Sequence, residues 1–162
     1  MASEYRQFKR PFPPAASTQH DQLAASWGLL TAIGAITTLD DPRFRMENAV
    51  SGMWAPVDFV FHVRPGVYFL QAYDPTKIPV LFVHGIQGTP RSFRLLIEHL
   101  DAATFQPWVA YYPSGASLSL CAEHLSQIMD KLRLQYGVQR VFVVAHSMGG
   151  LVARGLVMFH MC

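Results

Sequence analysis

Three short apolar runs dominate the second half of the chain, and each is followed by a turn or a helical pattern. The runs are Ile78–Val83, Pro107–Tyr112 and Arg140–Ala145. A strand that is apolar without alternation is typical of a parallel sheet covered on both faces. Strands that alternate with helices indicate βαβ units with right-handed crossovers. The sequence therefore predicts an α/β fold built on a doubly wound, mostly parallel sheet.

Capping residues bound the helices between these strands. Thr89 suits an N-cap and Pro90 the first helical position, and apolar residues at helical spacing follow them. Residues 117–136 predict a long amphipathic helix, for which Gly137 is a natural end. A further helix is predicted from Met148 onward.

The chain before the first of these strands has a different character. Residues 1–22 are polar, rich in proline and basic, and they predict a disordered segment without the apolar run of a signal peptide. Residues 23–77 are interpreted as an extension that precedes the main sheet. Within it, two β-rich runs, 57–62 and 67–71, flank an Arg-Pro-Gly turn and predict a hairpin. Residues 78–162 form the main α/β unit.

An uncharged stretch of 17 residues, 23–39, leaves two interpretations open. As a helix it would span ~25 Å, a little less than the ~30 Å hydrocarbon core of a membrane. Basic residues before it and acidic residues after it fit a membrane anchor with its N-terminus inside. Its glycine, serine and threonine residues favour a buried helix, or a helix followed by a strand. Membrane insertion is the less favoured alternative.

The segment from Ala145 to Gly150, AHSMGG, directly follows the third strand and opens the last helix. It has the G-x-S-x-G pattern of a nucleophile elbow, with alanine in place of the first glycine. A serine turned sharply between strand and helix needs small residues two positions before and after it, and Ala145 and Gly149 meet that need. The helix N-terminus also favours developing negative charge. Ser147 is therefore the predicted nucleophile.

A glycine-rich loop, His84-Gly85-Ile86-Gln87-Gly88, follows the first strand in the same way. Acyl transfer turns a carbonyl oxygen into an oxyanion, which needs preorganised backbone N–H donors. Met148, the residue after the nucleophile, is one predicted donor, and Ile86 is the other. His84 begins the loop, a position that argues for a structural role and against a catalytic base.

These two motifs carry a family resemblance. PVLFVHGIQG, followed about sixty residues later by VVAHSMGG, resembles the lipase and esterase branch of the α/β-hydrolase superfamily. It is more closely similar to bacterial lipase-like hydrolases with HGIxG and AHSMGG at these positions. The resemblance covers about residues 40–160, and its first part is similar to the entry segment of a subgroup with an extension before the sheet, many of whose members are envelope-associated.

The resemblance implies a serine hydrolase that cleaves carboxylic esters, lipid-like acyl esters among them, through an acyl-serine intermediate. Ser147 would be the nucleophile, and Ile86 and Met148 would hold the oxyanion. No cofactor and no metal are implied.

The acid and the histidine of a catalytic triad are not found where the resemblance places them, after the nucleophile. The fifteen residues that follow Ser147 contain neither Asp nor Glu. His160, the one histidine among them, lies about 20 Å along the last helix, too far to return to the serine. Upstream there are four further candidates, all predicted to be solvated residues on flanking helices: His99, Asp101, His124 and Asp130.

The chain is therefore interpreted as the N-terminal part of a hydrolase fold. Three strands are fewer than half of those that the resemblance implies. The strand before Ser147 would expose an apolar edge. Because a serine without a positioned base is a weak nucleophile, the chain alone is expected to be inactive.

Composition excludes several other classes of protein. The formal charge is only +2 and the basic residues are scattered, so no nucleic-acid-binding face is predicted. Cys121 and Cys162 cannot form a disulfide framework, and Cys121 is interpreted as a small core residue. The expected partner is a small ester or lipid substrate, while the oligomeric state and location, cytoplasmic or membrane-associated, stay open. Two alternatives remain: a non-catalytic hydrolase-fold binding module, and a membrane-anchored component.

Overall fold

Five strands form one mostly parallel sheet in the computed structural model, which describes residues 15–161. In space the strands run in the order β1-β2-β4-β3-β5. The β3 strand pairs in parallel with β4 and β5, and β1 pairs in parallel with β2, whereas β2 and β4 are antiparallel. The strands are β1 (Ala32–Ile36), β2 (Gly66–Phe69), β3 (Ile78–Val83), β4 (Phe105–Tyr111) and β5 (Phe142–Ala145). The predicted α/β fold class is confirmed.

Helices cover both faces of this sheet. Leu81 and Val83 of β3 join one core, while Val80 and Phe82 face a second core on the other side. Burial of both faces explains why the strand sequences are apolar without alternation. The first core is covered by α1 (Ala15–Leu29), α5 (Leu118–Tyr136) and α6 (Met148–Met161), and the second by parts of α3 (Pro56–Val63), α4 (Arg94–Glu98) and two 3-10 turns, Pro42–Phe44 and Pro90–Phe93.

Thr89 and Gly137 cap helices where the sequence predicts them, and Ser117 supplies a further cap. Ser117 caps α5 by accepting a hydrogen bond from the Leu120 N–H, and Gly137 ends the helix with a φ of 67°. Thr89 accepts a hydrogen bond from the Arg91 N–H. The helix after Thr89 differs from the prediction in one respect, because its first turn is a 3-10 turn and α4 begins only at Arg94.

The predicted hairpin is wrong, because its first strand is the helix α3. Pro56 lies in the first turn of this helix, where it is tolerated, and Asp58 there suits the helix dipole. Phe59, Val60 and Val63 are buried at helical spacing. The β-branched composition favoured a strand, but burial of one helical face outweighs that local preference. The nine-residue helix that precedes it is α2 (Met46–Trp54).

The second run of the predicted hairpin does form a strand, β2, with other partners. It lies between β1 and β4 in the same sheet as β3. Residues 23–77, interpreted as an extension before the sheet, therefore contribute two strands to it.

Residues 23–39 form the end of α1 and then β1, so the helix-then-strand alternative is confirmed. Residues 15–22 belong to α1 and are helical, whereas the sequence predicted disorder there; residues 1–14 lie outside the described part. Burial of Leu23 and Trp27 in the core docks this helix. Between residues 15 and 161, no helix combines the length and the apolar character needed to cross a membrane.

The strand that leads to the predicted nucleophile lies at one edge of the sheet. Phe142 is 47% exposed and Val143 is 37% exposed, although both belong to β5. The apolar strand edge that the sequence predicts is thus present.

Candidate active site

Ser147 occupies a strained turn between β5 and α6. Its φ is +54°, a left-handed conformation that costs a non-glycine residue about 1 to 3 kcal/mol. Two backbone hydrogen bonds close the turn, from the Gly149 N–H to the His146 carbonyl at 3.0 Å and from the Gly150 N–H to the Ser147 carbonyl at 2.9 Å. Ser147 is exposed. The elbow therefore presents its hydroxyl at the C-terminal edge of the sheet.

Gly149 allows the elbow to approach β3 closely. A Cβ atom at this position would lie 2.3 Å from the Val83 carbonyl oxygen and 2.5 Å from that of His84. Both neighbours are backbone atoms, which cannot rotate out of the way. The small residue that the elbow motif requires two positions after the serine is thus explained by contact with the neighbouring strand.

The glycine-rich loop lies directly beside the elbow. Val83 and Ala145 are partners in the parallel β3–β5 register, and the His146 N–H donates to the Val83 carbonyl at 3.1 Å. A Cβ atom at Gly85 would lie 3.0 Å from the Ser147 Cβ. The two motifs, 61 residues apart from Ile86 to Ser147 in sequence, meet at one edge because the carboxyl ends of parallel neighbours coincide.

Ser147 and Ile86 line the same open cleft, whose volume is about 510 Å³. Within the described residues, neither the N–H of Ile86 nor that of Met148 donates a hydrogen bond to the protein. Met148 is the first residue of α6, where a backbone N–H has no partner within the helix. The structure thus brings Ser147, Ile86 and Met148 to one edge of the sheet.

The loop is held by a residue that the sequence analysis did not single out. Gln87 has a φ of +49°, and its N–H donates to Ser114 Oγ at 2.9 Å. Ser114 is buried and follows β4. In the sequence, the Pro-Ser-Gly stretch at 113–115 indicates only the end of the apolar run Pro107–Tyr112. The stretch follows β4, which runs parallel to β3, so its residues lie at the same C-terminal edge of the sheet as the glycine-rich loop. That position is the signal from which Ser114 could have been found.

The comparison with protein families is decisive for the fold. The model of the alpha/beta hydrolase fold family matches residues 78–160, just over half of the chain. The chain belongs to the alpha/beta hydrolase fold family. No curated protein and no solved structure matches it. Membership indicates a hydrolase in general terms, and the matched region contains both the glycine-rich loop and the elbow.

In this alpha/beta hydrolase fold, His84 is a structural residue, as its position in the loop predicts. Its Nδ1 donates to the Gly85 carbonyl at 2.8 Å, and its Nε2 accepts from the Tyr112 N–H at 3.3 Å. The Tyr112 ring stacks on it at 4.2 Å, and the Tyr112 hydroxyl donates to the His84 carbonyl. Burial lowers the pKa of His84 to about 4. Both ring nitrogens are occupied, so this imidazole does not serve Ser147.

His124 was predicted to be a solvated surface residue, and this is wrong. The residue is only 6% exposed, its ring packs at a tilt against Trp27 with 4.5 Å between ring centroids, and its Nε2 lies 3.0 Å from Thr31 Oγ1. Burial lowers its pKa to about 4. The polar residue is accommodated because a hydroxyl 93 positions away in sequence supplies its hydrogen bond.

The other three upstream candidates are exposed, as the sequence predicts, but only Asp130 lies on a helix, whereas His99 and Asp101 lie in the turn after α4. His99 and Asp101 are exposed and bond within their own turns. Asp130 is exposed and lies 3.4 Å from the Nδ1 of His160 on α6.

Among residues 21–160, no side chain is hydrogen-bonded to Ser147 Oγ. The hydroxyl therefore has no base positioned on it by this part of the chain. The same residues contain no group of three or more His, Cys, Asp or Glu side chains that could hold a metal ion. The free Cys121 is buried in the core, where burial raises the pKa of its thiol to about 12.

Proposed function

We propose that this chain supplies the nucleophile and the oxyanion-binding part of a serine hydrolase that cleaves carboxylic esters through an acyl-serine intermediate. The observation that carries the proposal is the exposed, left-handed Ser147 at the start of α6, in contact with a glycine-rich loop. A strained residue at a helix N-terminus beside free N–H groups is the arrangement expected of a nucleophile elbow.

In the proposed reaction, Ser147 Oγ attacks the carbonyl carbon of the ester while its proton passes to a base. The carbonyl oxygen becomes an oxyanion, held by the N–H groups of Ile86 and Met148. Collapse of this intermediate breaks the ester C–O bond, the protonated base gives its proton to the departing alkoxide, and a neutral alcohol leaves while the acyl group stays on Ser147. Attack by water, again with proton transfer to the base, releases the acid and restores the serine.

The walls of the cleft favour an apolar acyl group. Ile86, Phe93, Leu96 and Val144 line it together with Ser147. Ile86 and Leu96 are 53% and 56% exposed, so an acyl chain that covers them would remove apolar surface from water. A lipid-like acyl ester is therefore the substrate class proposed, as the sequence resemblance also implies.

Residues 21–160 place no general base at Ser147. The resemblance puts the acid and the histidine after the nucleophile, and neither His84 nor His124 can replace them in their buried positions. We therefore expect this chain alone to hydrolyse esters only weakly. Loss of triad members still leaves a residual acceleration of about 10³ to 10⁴ over water, due to binding and the oxyanion donors.

An exogenous base allows the proposal to be tested on the chain itself. The chain would be incubated in imidazole buffer with a fluorophosphonate that carries a medium-length alkyl group. Imidazole takes the serine proton, so the serine oxygen attacks phosphorus and fluoride leaves. Mass spectrometry of the peptide that contains Ser147 should show the added phosphonyl group, increasing with imidazole concentration.

Two variants make this result interpretable. Ser147→Ala should abolish the modification, whereas Ser119→Ala, which removes an exposed hydroxyl on α5, should leave it unchanged. Absence of label on Ser147 at all imidazole concentrations would contradict the proposal and favour a non-catalytic binding module with the same fold.

A further inference from the structure

Ser114 lies where three segments of the chain meet. Its Oγ accepts the Gln87 N–H at 2.9 Å and contacts Met53 Sδ at 3.9 Å, as the donor of a weak hydrogen bond. The side chain belongs to the loop after β4 and is 6% exposed. One buried hydroxyl therefore joins the glycine-rich loop to the C-terminal end of α2.

The loop that carries Ser114 is itself fixed against α2 through its backbone. The Gly115 N–H donates to the Gly52 carbonyl at 3.0 Å. A Cβ atom at Gly115 would lie 1.9 Å from the Met53 carbonyl oxygen, so the two backbones are in contact. Because α2 holds the loop, the hydroxyl of Ser114 is fixed in position to accept a hydrogen bond from the Gln87 N–H.

Gln87 is the residue through which this contact reaches the site. It follows Ile86, the proposed oxyanion donor, and adopts a left-handed φ of +49° that a side chain disfavours. The peptide plane between residues 86 and 87 carries the N–H that Ser114 accepts. Rotation of that plane turns the backbone on either side of it, including the Ile86 N–H.

We infer that Ser114 is a positioning residue, which holds the Gln87 peptide so that the Ile86 N–H is directed at the oxyanion. The inference rests on the proposed function and goes beyond it, because it assigns a role to α2, which lies outside the residues that match the family. Ser114 does not touch the reacting atoms. It acts through the loop that does.

The test measures the rate of Ser147 phosphonylation in imidazole buffer over a range of fluorophosphonate concentrations up to saturation. These rates give the maximal rate and the half-saturating concentration separately. Ser114→Ala should lower the maximal rate about tenfold, because a misaligned donor loses its effect on the developing oxyanion. The half-saturating concentration should change less than about twofold, since the apolar walls of the cleft remain. Ser114→Thr keeps the hydroxyl and should restore most of the rate.

A buried serine elsewhere provides the matched control. Ser126 on α5 is 7% exposed, and Ser126→Ala should leave the rate unchanged. Amide hydrogen exchange supplies a second readout, in which the Gln87 N–H should exchange faster in Ser114→Ala than in the parent chain.

The outcomes separate the two claims. An unlabelled Ser147 in the parent chain overturns the proposed function, and the positioning role with it. A labelled parent with an equally fast Ser114→Ala variant overturns only the positioning role, as does unchanged exchange at Gln87.

Discussion

Two adjacent glycines at the start of α6, Gly149 and Gly150, differ sharply in the space that surrounds them. Gly149 has no room for a Cβ, which would lie 2.3 Å from the Val83 carbonyl oxygen, whereas a Cβ at Gly150 would meet nothing within 4 Å. The two residues share a helix and a sequence context, so they differ mainly in what surrounds them. They form a matched pair for testing how the elbow is held against β3.

Gly149→Ala should lower the free energy of unfolding by about 3 kcal/mol or more, because backbone atoms must move to admit the methyl group. Gly150→Ala should raise it by about 0.5 to 1 kcal/mol, because alanine loses less conformational entropy in a helix. Urea unfolding followed by circular dichroism measures both. Effects of equal sign at the two positions would contradict the close approach of the elbow to β3.

At the residue scale, a single sequence indicates which residues meet at one edge of the sheet when each motif is local. The positions of Ser147, Met148 and Ile86 follow from two short motifs, each read within one strand and its next turn. The sequence did not predict the contact made by Ser114 or the burial of His124, because their partners, Gln87 and Thr31, are distant in sequence. A hydrogen bond between distant residues leaves no periodic or spacing signal in a single sequence.

At the scale of elements, the contact between α5 and α6 depends on one small residue. A Cβ atom at Gly155 would lie 2.6 Å from the Cβ of Ala122. A methyl group at position 155 and that of Ala122 could not rotate away from each other. A side chain at position 155 must therefore separate the two helices. Because α6 begins at the elbow, such a separation would also shift the helix N-terminus below Ser147.

Gly155→Ala should lower the free energy of unfolding by about 1 to 3 kcal/mol, despite the better helix propensity of alanine. The double variant with Ala122→Gly should recover most of this loss, since the space is restored. A double-mutant cycle in urea measures the coupling between the two positions. Additive effects of the two substitutions would show that the helices do not meet there.

The strand β3, buried on both faces, and the long amphipathic helix α5 are predicted correctly from the sequence, whereas the helix over residues 56–63 is not. The strand β3 is apolar throughout, and its prediction needed no knowledge of its neighbours. Residues 56–63 combine β-branched and aromatic side chains with a helical pattern of burial, and only the partners that cover Phe59 and Val63 select the helix. That information lies in the tertiary structure, which is why the hairpin prediction failed.

At the scale of the whole molecule, the two buried histidines make stability depend on pH. His84 and His124 each have a pKa lowered to about 4 by burial, against about 6.5 in an unfolded chain. Between these values the unfolded state binds more protons, so the free energy of unfolding falls as pH decreases. Arg43 holds the pKa of Asp41 well below its usual range. Protonation of that carboxylate therefore lowers the free energy of unfolding only at pH values below those at which the two histidines act.

Stability should therefore be complete above about pH 6.5 and decline between pH 6.5 and 4, by up to about 3 kcal/mol for each histidine. Urea unfolding at several pH values measures the slope. His124→Phe removes one of the two groups while keeping an aromatic ring against Trp27, so its slope should be shallower than that of the parent chain. A stability that is constant from pH 7 to 4.5 would mean that neither imidazole is buried in the neutral form.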